Sequence, residues 1–268
     1  MSTPPTPTAA ARKERVVIVM PAYNAARTIE RTWREVIAHD VVDLVIVVDD
    51  ASQDDTLALA RQLEKVVAVA HPQNRGYGAN QKTCYRLALD QGADIVVMIH
   101  PDYQYTPRLL PAMVGMISSG LYDCALASRI LGGTARSGGM PLWRYFPNRV
   151  LTLVANWLLG SKLSEFHTGY RAYSAALLRQ LPLDANSDDF VFDHQILAEI
   201  AWVGGRIGEI SCPTRYAPEA SSINFRRSVR YGLGCLATDV AFRLARWGLL
   251  RSPRFPAHTR RAETPGAH

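Results

Sequence analysis

Between Ile95 and Pro107 the chain reads IVVMIHPDYQYTP. A run of five apolar residues stops at His100, Asp102 and Gln104, so an imidazole, a carboxylate and an amide lie within five positions. Such donors at the end of an apolar run either serve a ligand or only hydrogen-bond to neighbouring loops. Three more polar clusters close three earlier apolar runs: Pro21-Ala22-Tyr23-Asn24, Asp49-Asp50-Ala51-Ser52 and Asn74-Arg75-Gly76. A single acidic strand end is often only a helix cap. Four polar strand ends in succession argue for one shared site. The glycine turn at Asn74-Arg75-Gly76 precedes a helical segment, so its N–H groups and the helix dipole are placed to receive an anion.

These clusters need elements to carry them. The apolar runs RVVIVM, DLVIVV, VVAVA and DIVVMI alternate with segments of helical spacing, such as Ile29, Trp33, Val36 and Ile37. That gives βαβαβαβ in about the first hundred residues. The runs are continuous rather than alternating, as in a parallel sheet buried on both faces. Ligands bind such sheets beyond the carboxyl ends of the strands. The second half is less regular. It offers strands at DCALAS, GYRAYS and RIGEIS, with helices after Pro147, across FVFDHQILAEIAWV, and from Ser228 to Leu250.

The chain has 268 residues, 48% hydrophobic and 20% charged, which suits one large α/β domain. Four dispersed cysteines form no C-x-x-C pair, which argues against a metal knuckle and for reduced thiols. The amino end has no apolar signal segment, and no run is long enough to span a bilayer. The net charge is +6, unevenly placed. Between Arg215 and Arg261 ten arginines face only Glu219 and Asp239, which leaves the rest of the chain at −2. Nucleic acid, an anionic membrane and a phosphorylated substrate are all partners for such a basic end. The helix from Ser228 carries a stripe of Leu233, Leu236, Val240, Leu244 and Trp247, with Arg230, Arg243 and Arg246 off it. Residues 1–14 and 251–268 are expected to be disordered, 15–225 to form the catalytic domain, and 226–250 a basic amphipathic helix.

Taken in order, VVIVMPAYNAARTI, IVVDDASQDDT, NRGYGANQKT and IVVMIHPDYQY resemble the nucleotide-sugar half of an inverting family-2 glycosyltransferase. ALASRILGG and HTGYRAYS are similar to blocks in the branch that holds dolichyl-phosphate mannose synthase and polyprenyl-phosphate relatives. The likeness covers about residues 15–225. It implies a glycosyltransferase A type fold, Rossmann-like, with a mostly parallel sheet flanked by helices. It assigns Pro21, Tyr23, Asn24, Asp49 and Asp50 to the base and ribose of a UDP- or GDP-linked donor. Asn74, Arg75 and Gly76 fall to the diphosphate. The family metal signature is usually Asp-x-Asp, in this branch often followed by x-Gln. His100 replaces its first acid, leaving Asp102 as the principal ligand of Mg²⁺ or Mn²⁺, with Gln104 and His100 as further candidates.

The same resemblance implies a polyprenyl phosphate acceptor at the cytoplasmic membrane face. Arg129, Arg136, Arg144, Arg149 and Arg171 are the candidate cations for it, because arginine grips phosphate bidentately. Arg129 and Arg171 are also placed in the catalytic set. A loop from Tyr216 that includes Glu219 and Ser222 resembles the one that closes over donor and acceptor. A phosphate nucleophile is already an anion, whereas a sugar hydroxyl needs a base. The late Glu-Asp pair of hydroxyl-acceptor relatives is missing, and Asp189 and Asp193 are the candidate bases. The open alternatives are a hydroxyl acceptor in an envelope polysaccharide or glycolipid, and an inactive nucleotide-sugar-binding protein. No nucleic-acid partner is expected. Arg226, Arg227, Arg230, Arg243 and Trp247 would form a peripheral contact with an anionic membrane, unless the helix stripe packs into the core.

Overall fold

A computed structural model describes residues 13–133, 135–213 and 225–257. The strands are β1 (Val16–Ala22), β2 (Leu44–Asp49), β3 (Val66–Ala70), β4 (Ile95–Met98), β5 (Cys124–Ser128), β6 (Arg171–Ser174) and β7 (Ile207–Ser211). They form one sheet in the order β3-β2-β1-β4-β6-β5-β7. The first four are parallel, as their unbroken apolar runs predict. β6 then enters antiparallel between β4 and β5, and β7 adds parallel to β5.

Both faces of the sheet are buried. Val17, Val19, Ile46, Val48, Val96 and Met98 point into one core, and Ile18, Met20, Val45, Val47, Ile95 and Val97 into the other. The first core is covered by α3 (Tyr77–Asp90), α5 (Leu142–Leu159), α7 (Phe192–Val203) and α8 (Phe225–Arg246). The second is covered by α1 (Ile29–Ile37), α2 (Thr56–Ala60) and α4 (Leu110–Ser118). One further short helix, α6 (Ala175–Leu178), follows β6. Among the described residues no helix is long and apolar enough to cross a membrane. The four cysteines are free and buried.

The register between β4 and β6 matters most for the site. It sets Met98 opposite Arg171, which draws the segment before β6 towards the polar end of β4.

The structure departs from the sequence expectations in two places. α5 begins at Leu142, not after Pro147. Pro147 is exposed, so the one main-chain bond it forgoes leaves no buried orphan. Residues 251–257 are packed rather than disordered. Phe255 is buried with its ring 5.4 Å from both Trp202 and Phe242, and Trp202 Nε1 donates to the Pro256 carbonyl at 3.0 Å.

α5 and α8 pack side by side with apolar residues turned outward, which decides between the two readings of the α8 stripe. The buried face of α5 is Asn148, Thr152, Ala155 and Leu159, while Trp143, Phe146, Val150, Leu153 and Trp157 are exposed. On α8, Cys235, Thr238, Asp239 and Phe242 face inward and Leu233, Val240 and Trp247 face outward. The α8 stripe is therefore not core. Arg243 ties the pair together by donating to the Trp157 carbonyl at 2.8 Å.

One buried acid gives the fold a pH dependence. Glu199 of α7 is fully buried, with the Asn186 amide and the cations Arg254 and Lys82 nearby. Burial pushes its carboxyl up to about 8, outweighing all three. Unfolding returns the group to its ordinary value of 4.5. Between those values the native state holds a proton that the unfolded chain has lost, so stability falls as pH rises through that window. Glu199→Gln removes the slope. Thermal denaturation followed by circular dichroism is expected to show its Tm above wild type by roughly 3 °C or more at pH 8, and no gain at pH 4. An equal difference at both pH values would refute the assignment.

Candidate active site

The four polar clusters meet beyond the carboxyl ends of β1, β2, β3 and β4. The loops after β1 and β2 are laced together. Asn24, in the left-handed region at φ 51°, donates its N–H to Ser52 Oγ and accepts from Gln53 N–H, at 2.8 and 2.9 Å. Thr56 Oγ1 accepts from Ala25 N–H at 2.7 Å. Pro21 is buried within β1, whereas Tyr23 is exposed at the cleft edge.

Asp49 and Asp50 have different duties. Asp49 accepts from Ser52 N–H through Oδ2, while its buried Oδ1 has no partner. That oxygen is a pre-set acceptor for a ligand N–H or O–H. Asp50, expected at the donor, is engaged inside the protein. It accepts the N–H groups of Arg75 and Gly76, each at 2.9 Å, and contacts His71 Nδ1 at 2.7 Å. His71 is braced by Thr83 at 3.0 Å.

This overturns the expected role of the Asn74–Gly76 backbone. Two of its N–H groups already serve a carboxylate. The next available ones, on Gly78 and Ala79, donate to the Asp188 carbonyl at 2.7 and 3.3 Å. The start of α3 is therefore closed by protein. Gly76 (φ 95°) and Gly78 are required there, because a Cβ would lie 2.6 Å from Asp188 O and 2.4 Å from Ser187 O respectively. The Arg75 side chain lines a cavity of about 620 Å³ with Asp188, Asp189, Arg230 and Arg254.

At the end of β4, Thr32 of α1 donates to the Pro101 carbonyl at 3.1 Å and fixes the turn. Asp102 is half-buried, with Oδ1 accepting from Gln104 N–H at 3.0 Å. Tyr103 sits in the left-handed region at φ 57°, held by Arg31 stacked 3.6 Å over its ring and by its hydroxyl on Glu35. Gln104 lines a separate cavity of about 350 Å³ with Arg31, Glu35 and Tyr103.

His100 belongs to a network that sequence reasoning missed. Tyr77 Oη lies 2.7 Å from Asp193 Oδ2 and 2.9 Å from His100 Nε2. A carboxylate only accepts, so the phenol proton goes to Asp193 and His100 Nε2–H donates to the phenol oxygen. Burial and the Asp193 charge keep Tyr77 protonated by raising its pKa. The tautomer leaves the Nδ1 lone pair of His100 as its only ligand atom. Gln81 donates to the other oxygen of Asp193 at 2.8 Å. Tyr77 and Gln81 stand four apart on one face of α3, which was the available signal. Gly169 completes the fit, since a Cβ there would lie 2.5 Å from His100 Nε2.

The acceptor-side arginines divide. Arg171, expected to touch substrate, has no exposure and donates to the carbonyls of Thr168, Asp193 and Phe166 at 2.7, 2.6 and 3.0 Å. Arg129 pairs with the buried Glu165 through Nε at 2.9 Å and through Nη2, which also donates to the His167 carbonyl. Arg149 donates to the Ser164 carbonyl at 2.6 Å, Arg144 stacks 4.7 Å from the Trp143 ring, and Arg136 is exposed. Asp189 is exposed and accepts from Phe190 N–H. Glu219 and Ser222 lie outside the described residues.

Known proteins were compared with this arrangement. The crystal structure of glucosyl-3-phosphoglycerate synthase from Mycobacterium tuberculosis in complex with UDP has a TM-score of 0.67 at 22% identity, covering 89% of this chain and 82% of that one. The undecaprenyl-phosphate mannosyltransferase of Micrococcus luteus is 30% identical over 201 residues, 73% of this chain and 82% of that protein. The UDP-N-acetylglucosamine–dolichyl-phosphate N-acetylglucosaminyltransferase of Methanococcus voltae is 28% identical over 182 residues, 62% of this chain and 72% of that protein. The family model described as Glycosyl transferase family 2 matches residues 17–181. With that match over more than half its length, and with the seven-stranded sheet ending in His100 and Asp102, the chain belongs to glycosyltransferase family 2.

Proposed function

We propose that this chain transfers a hexose or N-acetylhexosamine, with inversion, from a UDP- or GDP-sugar to a polyprenyl phosphate at the cytoplasmic face of a membrane. The observation that carries the choice of acceptor is Asp193. Both its oxygens are engaged, by Tyr77 and Gln81, so it is a positioning group and not a free base. An acceptor that is already an anion needs no base. A phosphate oxygen attacks the anomeric carbon, the bond to the donor diphosphate breaks, and the nucleoside diphosphate leaves. No proton has to move. The named substrates of the Micrococcus and Methanococcus relatives are lipid phosphates, which supports this reading.

On the donor side, the open Oδ1 of Asp49 suits a base N–H or a ribose hydroxyl. Asp102, with the free Nδ1 of His100 two residues away, fits a Mn²⁺- or Mg²⁺-type cation. Such an ion supplies positive charge to the departing diphosphate. With the α3 amides occupied, Arg75 is the cation left to assist from that loop.

The reversed helices support a membrane surface as the place of reaction. Trp143, Phe146, Val150, Leu153 and Trp157 of α5 continue the outward stripe of α8. Arg226, Arg227 and Arg230 are exposed on α8 near it, and Arg243 is half-buried. Aromatic and apolar residues with arginines around them are the composition of an interfacial helix.

Two outcomes are expected. Asp102→Ala lowers transfer from a UDP- or GDP-sugar to a polyprenyl phosphate by about 10²-fold or more, with an unchanged circular dichroism spectrum. EDTA silences the wild type and Mn²⁺ restores it. The labelled lipid product releases its sugar in mild acid; an acid-stable glycoside would point to a hydroxyl acceptor instead. Secondly, Trp143→Ala with Trp157→Ala reduces co-sedimentation with phosphatidylglycerol vesicles several-fold and leaves the Tm in place. Unaltered sedimentation would remove α5 from the membrane contact.

A further inference from the structure

Behind the cleft, three elements meet at side chains that the transfer reaction does not use. They are His167 in the segment before β6, His194 on α7 and Cys235 on α8. One ligand atom from each lies within 4.8 Å of the other two. His194 has no exposure and Cys235 is 1% exposed. The two imidazoles lie nearly parallel, 6.0 Å apart at 18°.

Each imidazole is tied by one nitrogen only. His167 Nδ1 is 2.6 Å from Tyr231 Oη, and His194 Nε2 is 2.6 Å from Asp239 Oδ1. The remaining nitrogens, His167 Nε2 and His194 Nδ1, are buried and find no oxygen or nitrogen partner, and the Cys235 thiol interacts with both His194 and Tyr231. A buried polar atom without a good partner is costly. Two such nitrogens beside one thiol mark a place where a binding partner belongs.

We infer that His167, His194 and Cys235 hold a zinc ion, whose fourth position is left to a water molecule. Two imidazoles and a thiolate are a donor set for zinc rather than for the oxygen-loving cation of the catalytic cleft. The outer contacts have the arrangement that zinc histidines need. A carboxylate (Asp239) and a phenol (Tyr231) each hold the far nitrogen, which fixes the ring and aims the near one. The ligands come from three separate elements, so no C-x-x-C announces them. The metal would clamp α8 to the Phe166–Thr168 segment, whose carbonyls Arg129 and Arg171 hold.

The test uses the full chain expressed with zinc and freed of loose metal on a chelating resin. Elemental analysis is expected to find close to one zinc per chain. Exchange into Co²⁺ is expected to give a thiolate-to-cobalt charge-transfer band. Cys235→Ser loses that band, and His167→Gln loses most of the zinc. Both variants are checked by circular dichroism, and Asp102→Ala serves as a control that keeps the zinc. Zinc-free wild type without a cobalt band would overturn the inference, leaving a metal-free hydrogen-bonded cluster. So would folded Cys235→Ser and His167→Gln variants that keep full zinc. Should one variant fail to fold, the other decides. Loss of zinc in Asp102→Ala would place the metal in the cleft and equally refute the site.

Discussion

A guanidinium group without access to water sits at the centre of this protein. Arg171 opens β6, opposite Met98, and donates to three carbonyls from two stretches of chain. Its charge is met by Asp193, 3.9 Å away. Removing one partner of a buried pair leaves an uncompensated charge, at a cost of about 3–5 kcal/mol. Here the loss would also release the Phe166 and Thr168 carbonyls and the first turn of α7. Asp193 would then lose its setting, Tyr77 its acceptor and His100 its orientation. The polar end of β4 thus takes its shape from a residue that never meets a substrate.

The same economy of contacts governs the donor loop. Asp50 and Asp188 engage the Arg75, Gly76, Gly78 and Ala79 amides at the start of α3, one with a carboxylate and the other with a carbonyl. A helix N-terminus bound in this way has much of its dipole compensated within the protein. Those four amides hold the loop rigid instead of facing the cleft.

Much of this architecture was legible in the residues. The first four strands follow from apolar runs, and their polar ends converge as parallel topology requires; β6, with Arg171 at its start, reads equally as a strand or a turn. Asp49 and Asp102 could be placed at the cleft on that basis. Asp50 could not be separated from Asp49, because both are acids at one strand end and only the path of the following loop decides which is inside. Arg171 read as a phosphate ligand because arginine grips phosphate bidentately, while its burial depends on the antiparallel entry of β6. The Tyr77–Asp193 contact joins residues 116 positions apart, which no local pattern reveals. The stripe of α8 was visible as amphipathicity, and that of α5 was not read. The side these helices turn to the protein was not legible, because small and polar residues such as Thr152 and Thr238 make an unusual core face.

Gly76 and Gly78 touch the backbone of residues 187–188 so closely that neither can carry a side chain. Backbone cannot step aside as a flexible side chain can. These two positions and the 187–189 segment are therefore sterically coupled, although more than a hundred residues separate them. A move of that segment would make room at Gly78, whereas Gly76 would stay bound to glycine by its φ of 95°.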